Sequence, residues 1–154
     1  MKRFTKQDDA IVRRIERLIR SIDFDFSRST FASFVGWLEQ ERGRTILLVP
    51  WSLPPGISGA WILTSTSDYV FYDKNLPYPL QVQTQLHEFG HMLCGHQPVA
   101  LGNDSLSDKL PGITSYSIAD RLLLRIESHI HSEAEAEAEC FASLIGSNYW
   151  AECD

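Results

Sequence analysis

The string His87-Glu88-Phe89-Gly90-His91, set in an apolar run with Leu86, Met92 and Leu93, restricts this chain more than any other feature. Side chains four residues apart stand on one face of an α-helix, a turn from each other. The two imidazoles can therefore share one Zn2+. Glu88 lies about 100° further round the helix, placed to act on a water as general base. Two imidazoles and a carboxylate among apolar side chains are costly unless a partner offsets their desolvation. The spacing thus predicts a helix that buries one side and presents a metal site on another. The competing reading is a polar helix surface with incidental histidines, since the string arises by chance in about one chain in a few hundred.

A catalytic zinc takes three protein ligands and keeps a position open. The metzincin continuation requires Gly at 94 and His at 97, where this chain has Cys94 and Gln97. His96 falls one position short and projects from roughly the opposite side of a continued helix, as a helix-end or surface histidine. A better source is the segment from Ser132 to Ile145, SEAEAEAECFASLI. On a helical wheel Ala134, Ala138, Phe141, Leu144 and Ile145 form its apolar face. Glu137 lies within that face and Glu133 at its margin, whereas Glu135 and Glu139 project to the far side and read as solvated. The expected metal set is His87, His91 and Glu137, with Glu88 catalytic.

Ile11, Ile15, Leu18 and Ile22 recur at helical spacing, giving a helix from about Gln7 to Ser21. A second helix follows Ser29 or Thr30 and ends at Gly43. Thr45 to Trp51, Ala60 to Thr64 and Tyr69 to Tyr72 read as strands, most simply an antiparallel sheet or meander. The motif helix follows Pro79, Gln97 to Ser115 reads as a long loop, and helices are expected over Ile118 to Ile130 and Ser132 to Ile145. The fold class is α+β: a small antiparallel sheet of about three strands packed with the motif helix and several others. A chain of 154 residues, 44% hydrophobic and 22% charged, suits one globular domain over 1–154.

The net charge of -6 disfavours non-specific nucleic-acid binding. The early basic residues, Arg13, Arg14, Arg17 and Arg20 among them, read as a solvated helix face, with contact to an acidic partner as the sharper alternative. Neither a signal peptide nor a membrane-spanning run is recognised. Cys94, Cys140 and Cys153 are odd in number and form no CxxC pair, which points to reduced thiols and a cytoplasmic setting.

With these residues in place, the chain resembles the ImmA/IrrE family of metallopeptidases. Leu86-His87-Glu88-Phe89-Gly90-His91, followed by Leu93 and Gly95-His96, is similar to the family's HELGH helix with its trailing Gly-His. Glu135-Ala136-Glu137-Ala138-Glu139-Cys140-Phe141-Ala142 is similar to its E-x-E-A-N-x-F-A pattern, with Glu139 at the usual Asn. In that alignment Glu137 falls on the third metal ligand. The resemblance implies a gluzincin-like fold, one zinc, and proteolysis of a protein substrate, often a helix-turn-helix transcriptional repressor. No DNA-binding segment is recognised here, so a separately encoded partner is expected. The substrate is expected to add as a strand to a sheet edge near Tyr69 to Tyr72. A protein of another class, a metal-containing binding module or toxin–antitoxin component acting without cleavage, is the alternative, and an intact Glu88 speaks against it.

Overall fold

The computed structural model describes residues 6–53, 56–100 and 133–150. The first helix, α1 (Lys6–Ser21), buries Ile11 and Ile15 and turns its arginines outward. In α2 (Phe31–Arg42) the Thr30 hydroxyl accepts from the Ser33 amide, and Gly43 closes the helix in the left-handed region at φ 63°. The motif helix, α3 (Tyr78–Leu93), starts on Pro77 and Pro79, where a missing amide hydrogen costs nothing. The last described helix, α4 (Glu133–Ile145), runs into a wide turn over Gly146–Trp150. The helix expected over Ile118 to Ile130 lies outside the described residues, as does most of the expected loop.

The strands are β1 (Thr45–Trp51), β2 (Gly59–Leu63), β3 (Ser67–Asp73) and the short β4 (Val99–Ala100). Their order is β1-β3-β2-β4. β2 and β3 form an antiparallel hairpin closed by Thr64, whose amide donates to the Ser67 carbonyl at 2.9 Å. β1 pairs parallel with β3, and β2 pairs parallel with β4 at Ile62 and Leu63. The sheet is therefore mixed, and the antiparallel expectation is corrected. The reason lies in β3, where Asp68, Tyr69, Val70 and Phe71 are all buried. A strand buried on both faces belongs in the middle of a sheet. The longer β1–β2 connection lets β1 reach its far edge.

Asp68, wholly buried, holds this sheet to the end of α2. It accepts from Arg42 Nε at 2.7 Å and Nη2 at 3.0 Å, and from Trp61 Nε1 at 2.9 Å. The core beneath is aromatic. Phe34 of α2 packs on Phe89 of α3, Phe141 of α4 and Trp150, with ring centroids 5.9–6.5 Å apart. Leu86, Phe89 and Met92 send one face of α3 into that core. The motif's polar residues are left to line the space between α3, α4 and β2. Among the described residues no helix is long and apolar enough to cross a membrane.

Candidate metal centre

Gly90 sets the distance between α3 and α4. A Cβ there would meet Ala138 Cα and O at 3.1 Å and Phe141 Cβ at 3.2 Å, so the helices touch backbone to backbone. That approach brings a carboxylate of α4 against the imidazoles of α3. His87 Nε2 lies 2.9 Å from Glu135 Oε2, His91 Nε2 lies 3.1 Å from Glu135 Oε1, and the two Nε2 atoms are 3.2 Å apart. Neighbouring ligand atoms of a tetrahedral zinc with bonds of about 2.0–2.1 Å stand about 3.3 Å apart. Two imidazoles and one carboxylate converging at that spacing fit a divalent transition metal in donor type and in separation.

The outer nitrogens are also held. His87 Nδ1 is 3.0 Å from Glu139 Oε2, and His91 Nδ1 is 2.9 Å from His96 Nδ1. A carboxylate on the outer nitrogen fixes a ligating imidazole's tautomer and ring angle, the usual support of such a centre. Burial works against charge on His87, but the Glu135 and Glu139 carboxylates outweigh it and push its pKa up to about 10. The same hydrogen bonds to His87 and His91 hold Glu135 well below the usual carboxylate range. Glu88 is buried and its pKa raised, chiefly by desolvation, against the pull of His87 and His91.

The structure brings His87, Glu88, His91 and Glu135 together, and it places Glu137 elsewhere. Glu137 lies on the opposite flank of α4, where its Oε1 accepts from Arg14 Nη1 of α1 at 3.2 Å. Arg14 also meets Glu133 at 3.1 Å, so this basic side chain finds its acidic partner within the chain. The wheel placed Glu137 inward, and its side chain is indeed less exposed than that of Glu135, 14% against 36%, but it turns to α1 and not to the imidazoles of His87 and His91. The buried positions of α4 are Ala138, Phe141, Ala142 and Ile145, while Leu144 is only partly buried. An inward face that includes Ala142 and leaves out Leu144 is rotated towards Glu135. Relative to Ala138, Glu135 then stands about 60° to one side and Glu137 about 100° to the other. The usable signal was the small residue Ala138 facing Gly90, because only small residues permit so close an approach. Glu139, read as solvated, is exposed yet reaches His87.

His96 was displaced for a different reason. The helix does not continue to it. Gly95 takes φ 73°, its amide donates to the Met92 carbonyl at 3.2 Å, and the His96 amide donates to the His91 carbonyl at 2.9 Å. These two bonds are a Schellman ending, which folds the chain back over the last turn. His96 therefore returns to His91's side.

A cleft of about 760 Å³ opens over the centre, lined by His87, Glu88, His91 and Glu135 below and by Gly56–Trp61 above. Gly59 passes so close that a Cβ would come within 3.4 Å of Glu88 Oε1. Tyr69 to Tyr72 are no open edge, because β3 is paired on both sides. The strand facing the cleft is β2, whose Gly59–Trp61 have no strand partner on the β4 side among the described residues. Comparison of the chain with protein-family models, curated proteins and solved structures finds no match.

Proposed function

We propose that the protein is a zinc-dependent endopeptidase in which His87, His91 and Glu135 hold the ion and Glu88 carries the proton. The observation that supports this reading is the convergence of His87 Nε2, His91 Nε2 and the Glu135 carboxylate within 3.2 Å, beside a buried carboxyl at the floor of an open cleft. Three protein ligands leave a coordination position for water or substrate. The metal, when bound, supplies Lewis-acid polarisation of the scissile carbonyl and lowers the pKa of a water.

The chain's own residues supply the remainder. Glu88 is buried between the motif histidines and β2, and desolvation raises its proton affinity. It takes a proton from the attacking water and returns it to the departing amine. An extended peptide pairs with β2 at Gly59–Trp61, where that edge has no strand partner among the described residues, in line with β4. Ile57, Leu76 and Leu80 give that peptide an apolar wall. The substrate class follows the resemblance to the ImmA/IrrE family: a separately encoded regulatory protein, a helix-turn-helix repressor being the first to test.

Glu88→Gln is the experiment. Cleavage of an unstructured protein substrate such as casein, or of a co-expressed repressor, should fall by about 10²–10⁴ while the zinc content stays that of the wild type. A variant that cleaves as the wild type does removes the catalytic reading.

A further inference from the structure

Cys94, His96 and Glu137 supply none of the three donors that converge at His87, His91 and Glu135, yet they face one another. Cys94 caps α3, the Schellman turn folds His96 back, and Glu137 reaches across from α4. One donor atom from each lies within 4.8 Å of the others. His96 Nε2 is 3.8 Å from Glu137 Oε2. The other oxygen of Glu137 is tied to Arg14 at 3.2 Å, which orients the carboxylate with Oε2 towards the histidine. The side chains of His96 and Glu137 are only 15% and 14% exposed, so this is not a solvated surface group of charges.

We propose that Cys94, His96 and Glu137 form a second transition-metal site, softer than the first. A thiolate, an imidazole and a carboxylate suit zinc, cobalt or cadmium and do not suit magnesium or calcium, which require oxygen ligands throughout. Binding forms a sulfur–metal bond and releases the thiol proton to solvent. Small side-chain rotations bring donor atoms from 4.8 Å to the spacing that a sulfur–metal bond of about 2.3 Å requires.

The two centres are joined through one contact. His91 Nδ1 and His96 Nδ1 are 2.9 Å apart, with room for a single hydrogen. When His91 Nε2 ligates a metal, that hydrogen sits on His91 and His96 accepts it at Nδ1. His96 then keeps its own hydrogen on Nε2, the nitrogen that faces Glu137. Filling the second site must reverse or open this contact. The second site therefore binds more weakly when the first is full.

Cobalt titration of the reduced full chain tests this. Thiolate ligation of Co2+ gives a near-ultraviolet charge-transfer band, and imidazole–carboxylate ligation does not. The wild type should bind two Co2+, with the band growing only during the second equivalent. His87→Ala should bind one, with the band present from the start and an affinity about tenfold higher for that site. Cys94→Ser should bind one and show no band. Absence of the band from both wild type and His87→Ala overturns the proposal, as does a band that survives Cys94→Ser and is lost in Cys140→Ser. A band in wild type together with no binding by Cys94→Ser keeps the second site and rejects the first. Cadmium NMR of the unsubstituted chain gives the same decision should Cys94→Ser misfold, because a thiolate moves the resonance downfield.

Discussion

Replacing each glutamate of α4 in turn separates the two assignments of the third ligand, Glu135 by geometry and Glu137 by sequence. Structural zinc sites with four ligands bind with about 10–16 kcal/mol, so one ligand accounts for about 3–4 kcal/mol. At about 1.4 kcal/mol per decade, Glu135→Ala should weaken zinc binding by roughly 10²–10³-fold. Glu139 touches no metal position and acts through His87 Nδ1 at 3.0 Å. Outer partners of this kind contribute about 10–100-fold, and its 63% exposure places Glu139→Ala near the lower figure. Glu137 stands one contact further out, 3.8 Å from His96, which in turn meets His91. Glu137→Ala should cost the first centre less than about tenfold. Competition with a chromophoric chelator at fixed pH measures all three, with far-ultraviolet circular dichroism as the check on folding. If Glu137→Ala shows the largest loss and Glu135→Ala stays within tenfold of wild type, Glu135 is not the third ligand and the geometric assignment is wrong.

Other consequences reach beyond the ligands. His87 in the metal-free protein has its pKa raised to about 10 from 6.5, so its contribution to stability is complete below 6.5 and lost as pH rises through about 10. Glu135, depressed, contributes above the ordinary carboxylate range and is lost on acidification. Metal-free protein should therefore be most stable in mildly acidic buffer, and binding of the first equivalent of zinc at neutral pH should release about one proton from His87, read by calorimetry in buffers of different ionisation enthalpy; zero release contradicts the assignment. Gly90→Ala gains about 1 kcal/mol of helix propensity but forces α3 and α4 apart, an overpacking cost of about 1–3 kcal/mol, so urea denaturation should show net destabilisation; a more stable variant refutes the close-contact argument. Asp68→Ala strands Arg42 and Arg44 at the sheet and should cost about 3 kcal/mol, visible as a fall in Tm; an unchanged Tm shows that the network carries nothing.

Local chemistry was readable where it is set by adjacent residues. The caps at Thr30 and Gly43, the strand at Thr45–Trp51 and the helix carrying His87 and His91 each follow from neighbours in sequence. The sheet order was not, because the antiparallel expectation took β1, β2 and β3 as successive neighbours and gave no weight to the burial of β3 on both faces. The geometry departs from the expected third ligand for a related reason. A wheel ranks positions by apolarity and so places the inward face where Leu144 stands, but helix approach is governed by the smallest residues, and here Gly90 meets Ala138. The carboxylate that reaches the histidines consequently sits at the border of the buried stripe, where a cleft can open, and not at its middle, where a metal would have no access to substrate. Close-packing two helices while keeping a cleft open between them favours polar donors on that border. Glu135 and Glu139 repeat the four-residue spacing of His87 and His91, and both reach His87 from one flank of α4.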